Sequence, residues 1–307
     1  MKTKIILCVV SLMIGLTAAC GSGEKSDNAN AVVDKKAANE TAEKKDDKKA
    51  EFTGDVKFPF DFPTAGTTAK KGERVLVPSY NWLVDAMEKG ADKTTMIWYA
   101  QTMEEPGEEM SQIKFMSDVQ KVPNAYIVPI PAGQTAKKGD ILLTWWQTGS
   151  GLQRAIVTDA ADPKAPTVRY LDLDYTNPAK SRDGKTTIGQ MDEQIKPDTF
   201  AVIKSEMEPG TAVAIGSDMK HGQVIRVEGD KVFVILFAGK TGVFPKADVK
   251  AAPLKPNVKA GDKVKAVSIG RFKDGTVSKV DENIGRVWVK FENMPEDSAV
   301  AFGDVMP

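Results

Sequence analysis

Residues 259–307 alternate apolar and polar side chains in short runs, each cut off by a turn signal, and this pattern constrains the chain most. The segment opens K-A-G-D-K-V-K-A-V and turns at Asp274-Gly275. It continues through Gly275–Val280 and Arg286-Val287-Trp288-Val289-Lys290-Phe291, and closes with Pro295 and Val300-Ala301-Phe302. Side chains of a strand point to opposite faces with period two, so alternation over so few residues calls for half-buried strands in a small antiparallel unit. If Val287, Val289 and Phe291 face inward, Trp288 faces outward between Arg286 and Lys290.

Two landmarks repeat upstream. The first is a glycine that opens a strand: Lys71-Gly72-Glu73-Arg74-Val75, Lys138-Gly139-Asp140-Ile141, Pro209-Gly210-Thr211-Ala212-Val213 and Ala260-Gly261-Asp262-Lys263-Val264. The second is a proline, a polar residue and a short apolar strand, at Pro123, Pro197, Pro245 and Pro295. The glycine follows the preceding proline by 16, 13 and 16 positions, so the two sets stay in step, as they do in an array of small modules. The strand Lys231–Ile235 of the third unit matches Arg286–Lys290 of the fourth. Its counterparts in the first two are read as Met96–Tyr99 and Val168–Leu171.

The combination G-D-x-V-x-A, then G-x-V-x-x-V, then R-V-x-V-K-F resembles bacterial Tudor- and SH3-like barrels, most clearly over 256–307 and 205–255. The resemblance implies a mainly β protein of about four tandem small antiparallel barrels: 63–131 and 132–204, each with an insertion, then 205–255 and 256–307. One large irregular β-sandwich is the alternative. A unit of about fifty residues buries only around 60% of its unfolded surface, so each must pack on a neighbour.

The N-terminus reads separately. Met1-Lys2-Thr3-Lys4 is basic, Ile5–Leu16 is apolar, and Thr17-Ala18-Ala19 are small, the three-part order of a secretory signal. The apolar run is shorter than the ~20 residues that span a bilayer. Cys20 follows directly, so 1–19 resembles a bacterial lipoprotein signal, with Thr17 where leucine is usual. The resemblance implies cleavage before Cys20, its lipidation, and membrane attachment through it. Gly21, in place of a retaining aspartate, favours the outer membrane. Residues 20–62 read as a tether. From Glu24 to Glu51, seven lysines and eight acids accompany almost no large apolar residue, a composition that cannot offset its own ordering entropy. Its reach is roughly 30 Å. The four phenylalanines of Phe52–Phe62 are placed to dock on the first barrel.

Composition narrows the function classes. Lys and Arg number 42 against 42 Asp and Glu, which offers no net attraction to nucleic acid. Both cysteines, Cys8 and Cys20, precede the body, and His221 is the single histidine. The body therefore has no disulfide framework, no thiolate metal site and no paired-imidazole site, and no cofactor is expected. Ser217-Asp218-Met219-Lys220 with Lys240-Thr241-Gly242 mimics the motifs of penicillin-binding proteins, but a few residues of small hairpin cannot supply that large fold, and the match is read as coincidence. His221 is read as a turn residue. Glu104 to Glu109 lack calcium-loop spacing and read as a solvated loop. Asp172 and Asp174 read as the outer face of a strand.

Aromatic residues remain the candidate ligand contacts: Tyr80, Trp82, Trp98 and Tyr99 in the first unit, Trp145 and Trp146 in the second, and Trp288 in the fourth. Aromatics suit sugar rings, peptides and cations. Their competing role is to fill interfaces between units. The expectation is a non-enzymatic, outer-membrane-anchored binding or scaffold protein for a protein or glycan, with no catalytic residues. The alternative is an envelope glycan hydrolase using carboxylates of Glu104–Glu109 or Asp172 and Asp174, which requires two carboxyls about 5–10 Å apart.

Overall fold

A computed structural model describes residues 55–116, 118–146, 151–176, 178, 180, 184, 187–292 and 294–307. The segment read as a signal, Cys20 and the charged run to residue 54 lie outside the described residues. The four strand-opening glycines all take a left-handed backbone, with φ of 84° at Gly72 and Gly139, 89° at Gly210 and 94° at Gly261. That conformation is open to glycine without a Cβ clash. It turns each glycine N–H onto a carbonyl of the next strand: Gly72 to Met103, Gly139 to Val157, Gly210 to Val224 and Gly261 to Val277, at 2.7–2.8 Å. The same four residues donate back, to Glu73, Asp140, Thr211 and Asp262. Directly beyond them the register slips at Met103/Glu105, Val157/Asp159, Val224/Arg226 and Val277/Lys279. A bulge at one fixed place bends and twists each second strand in the same way.

Strand order repeats with equal fidelity. The first set comprises β1 (Arg74–Pro78), helix α1 (Tyr80–Lys89), β2 (Trp98–Glu105), β3 (Met110–Phe115), β4 (Asp118–Pro123) and β5 (Val128–Ile130). The second has β6 (Ile141–Thr144), β7 (Gln153–Asp159), β8 (Thr167–Tyr170), β9 (Asp192–Gln194) and β10 (Ala201–Val202). The third has β11 (Ala212–Ile215), β12 (Lys220–Glu228), β13 (Lys231–Leu236), β14 (Thr241–Pro245) and β15 (Val249–Ala251). The fourth has β16 (Lys263–Ser268), β17 (Arg271–Asp281), β18 (Arg286–Phe291), β19 (Ser298–Ala301) and β20 (Val305–Met306). In every set four strands form an antiparallel meander, and the fifth returns to pair with the first.

The protein is therefore mainly β, with several antiparallel sheets. None closes into a barrel: among the described residues no pairing joins the fourth strand of a set to its fifth. The last two sets are joined into one sheet by pairing of Lys220 with Arg271. Packing compensates for the small size of each set. One contiguous apolar core includes Leu76 and Trp98 from the first, Ile156 and Leu171 from the second, Phe233 from the third, and Val287 and Val289 from the fourth.

Phe233 is the hub of an aromatic cluster, with ring centroids of Phe58, Tyr126 and Phe60 at 4.9, 5.7 and 5.8 Å. Residues 55–62 thus dock against the first and third sets together, not the first alone. Asp61 adds an ion pair to Lys231 at 2.6 Å, and Arg226 donates to the carbonyls of Asn124 and Gly66.

Two alignments of the repeats change. Met96–Tyr99 leads into β2, a second strand, while the third strand of the first set is β3; the helical insertion α1 displaces the count. Pro123 and Pro245 end fourth strands, but Pro295 precedes one, so the apolar run after it is β19 and not the closing β20. The fourth set makes its closing corner with Phe302-Gly303-Asp304 instead.

Candidate functional site

All four strand sets contribute walls to one cleft of about 710 Å³. Its lining includes Ile97 and Trp98 from the first set, Gln153, Arg154 and Asp172 from the second, His221 and Phe237 from the third, and Ile269, Arg286 and Asp304 from the fourth.

The inner part is ionic. Arg154, on β7, is 3% exposed. Its Nε and Nη2 donate to Asp172 Oδ1 at 3.0 and 2.5 Å, its Nη2 to Asp304 Oδ2 at 2.9 Å, and its Nη1 to the Phe302 carbonyl at 3.2 Å. Burial works against the guanidinium charge, but the Asp172 and Asp304 carboxylates outweigh it and raise its pKa. Asp304 is held well below the usual carboxylate range: burial alone would raise it, and Arg154 and His221 reverse the sign. His221 Nε2 lies 3.4 Å from Asp304 Oδ1, close enough for attraction but without hydrogen-bond geometry.

Arg286 differs. It is also 3% exposed, yet no carboxylate among the described residues lies within ion-pair distance. Its Nη2 donates to the Tyr170 and Leu173 carbonyls at 3.0 and 3.2 Å, and its guanidinium stands 5.2 Å from the Tyr175 ring centre. Burial lowers its pKa to about 10, against the opposing pull of Asp172 and Asp304, so it stays charged at neutral pH. Its Nε, like Gln153 Oε1 and His221 Nε2, is buried without a hydrogen-bond partner among the described residues. An unpaired buried polar atom costs about 1–3 kcal/mol.

The outer part is apolar. Ile97, Phe237 and Ile269 are 37%, 61% and 74% exposed, although large apolar residues usually withdraw from water. Ile269 stands in the β16–β17 turn at φ 49°, a left-handed position that a β-branched side chain occupies only under strain of order 1–3 kcal/mol. Gly270 lies against the Phe237 ring, where an added Cβ would come 2.8 Å from Cγ. Gly239 accepts from the Met96 N–H at 2.8 Å, fixing the Phe237 turn to the first set.

The sequence candidates are scattered around this cleft more than gathered in it. Trp98 is 1% exposed and belongs to the core, its indole N–H donating to the Tyr126 carbonyl at 3.0 Å. Tyr80 and Tyr99 are half-buried and line a separate small cavity with Phe115. Trp82 and Trp145 pack at the edge of the main core, and Trp146 stacks edge-on to Tyr170 at 5.1 Å. Trp288 is half-buried, edge-on to Tyr175 of the second set at 5.8 Å, with Lys279 Nζ 4.5 Å over its ring.

Other readings shift. His221 is in strand β12 and not in a turn. Asp172 follows β8 and faces Arg154, so it does not mark an outer strand face. Arg286, placed by alternation on the solvent side with Trp288, is buried because residues 170–175 cover it. Glu104 and Glu105 pair with Lys71 at 3.5 Å and do not line the cleft. Arg154 and Arg286 carried no local signal, since isolated charges within strands read as outward-facing, and Asp304 lies in a corner between strands, where an acid reads as solvated. Among the described residues no group of three or more His, Cys, Asp or Glu is placed to hold a metal, and no helix is long and apolar enough to cross a membrane. No family model matches the chain, and no curated protein matches it.

Proposed function

We propose that this protein is a lipid-anchored, non-enzymatic binding protein of the bacterial outer membrane. Cys20 would carry the lipid, residues after it would serve as tether, and four units of Tudor/SH3-like barrel kinship would present the binding site to a protein or glycan. The repeated meander with a returning fifth strand supports the kinship, because it is the connectivity a small curled five-stranded barrel needs. One observation carries the binding reading: four small units converge on a single cleft that combines exposed apolar side chains with buried, unpaired polar atoms. Ligand sites have that composition, mostly apolar with a few placed polar groups.

The ionic cluster favours binding over hydrolysis. Asp172 and Asp304 share one guanidinium, and Asp304, held ionised by Arg154, is a poor proton donor at neutral pH.

Two measurements test the proposal. Incorporation of labelled palmitate in a bacterial host should require Cys20 and vanish in C20A. A photo-crosslinking residue at Phe237 in intact cells should capture a discrete envelope component. Label in C20A would remove the anchor, and crosslinking no different from that at exposed Asp55, which does not line the cleft, would remove the binding site.

A further inference from the structure

We infer that the cleft recognises an extended peptide, taking one bulky apolar side chain between Ile97, Phe237 and Ile269 and its neighbouring amide on Arg286 and Gln153. This rests on the binding reading above and names its ligand class. Three observations, independent of one another, converge on it.

The first is hydrogen-bond polarity. Arg286 Nε–H is a donor and Gln153 Oε1 an acceptor; both line the cleft, both are buried, and neither has a partner among the described residues. An amide meets both needs, since its carbonyl accepts and its N–H donates. A carboxylate offers only acceptors and would leave Gln153 unpaired, while Asp172 and Asp304 nearby would repel it.

The second is the charge balance of the inner wall. Arg154 and Arg286 stand among Asp172, Asp174 and Asp304, so both signs are already present, and Arg154 is saturated by two carboxylates and a carbonyl. A neutral polar ligand fits such a wall better than an ion.

The third is the apolar rim. Half of the large apolar residues that are exposed among the described ones, Ile97, Phe237 and Ile269, line this one cleft. Ile269 is held there at a positive φ that asparagine or glycine would accept more easily. A strained, exposed isoleucine in a two-residue turn has no folding rationale, and contact with an apolar side chain supplies one. The rim is also braced: the Gly270 carbonyl accepts from the His221 N–H at 2.9 Å and Gly270 abuts Phe237, so the two turns hold each other in place.

The test uses the full chain in detergent and fluorescein-labelled heptapeptide pools with Phe, Leu, Ser or Asp fixed at the centre, read by anisotropy. The Phe and Leu pools should bind at least about tenfold tighter than the Ser and Asp pools. N-methylation of the central amide, which removes its N–H, should weaken the best peptide about tenfold. I269N should weaken it similarly while its thermal midpoint holds or rises, because asparagine suits the left-handed turn; a loss of binding is then not a loss of fold. Equal affinity for all pools, no binding of any pool, or a parent-like I269N would each overturn the inference. Binding of purified glycan strands that F237S abolishes would overturn the peptide class while leaving the binding reading standing.

Discussion

The guanidinium of Arg154 meets the carboxylate of Asp304 at 2.9 Å across 150 positions of chain, tying the second strand set to the closing corner of the fourth. Asp172 completes the pair on the other side of the same guanidinium. Removing the cation leaves two carboxylates facing each other in a mostly buried place. R154A should therefore lower the unfolding free energy by about 3–5 kcal/mol in urea titrations. The triple variant R154M/D172N/D304N, with no charge left to strand, should recover most of that loss. A parent-like R154A would show the triad to be solvated.

Acid should act through Asp304. Its folded pKa lies below the ordinary value of about 3.9. A depressed acid contributes stability that is whole above the unfolded pKa and disappears as pH falls toward the folded one. The stability gap between the parent and D304N should stay constant from about pH 8 to pH 5 and close only below about pH 4. Closure already between pH 7 and 5 would show that Asp304 does not control the acid response.

Phe233 is buried to 0% exposure and touches the rings of Phe58, Phe60 and Tyr126, so it couples the strap at 55–62 to two strand sets. F233A should cost about 3–5 kcal/mol. It should also speed trypsin cleavage after Lys57, visible as a shortened band before global unfolding. Unchanged cleavage would mean that the strap holds by its ion pair alone.

The strand-opening glycines offer an internal comparison. Gly261 and Gly210 share the same left-handed backbone, but a Cβ on Gly261 meets nothing within 4 Å, whereas one on Gly210 meets Leu143 Cδ1 at 2.7 Å. G261A should cost about 1 kcal/mol from backbone strain alone. G210A should cost at least about 1 kcal/mol more, from overpacking. Thermal midpoints ranked the other way would show that the left-handed turn does not set the penalty.

Local rules account for what the sequence made legible. Val287, Val289 and Phe291 are buried as their alternation requires, and Gly72, Gly139, Gly210 and Gly261 mark strand openings because that turn takes a left-handed backbone that favours glycine. The helix α1 escaped notice because the strand pattern resumes on both sides and only Leu83 and Ala86 are fully buried along it. Arg286 shows where local rules end. Alternation placed it with Trp288 on the outer face, which is correct for an isolated sheet; the covering residues 170–175 come from another set. Arg154, Asp304 and His221 meet only through docking of three sets, and no spacing in the chain encodes that meeting.

A string of modules that touch only their neighbours can lengthen or shorten by one and remain the same kind of object. The cleft denies this chain that freedom. Because Ile97, Gln153, Phe237 and Ile269 arrive from four different sets, deleting or duplicating any one would open a wall or displace it. The repeats are thus similar in construction and unequal in duty, because each strand set supplies a different wall of the same hollow.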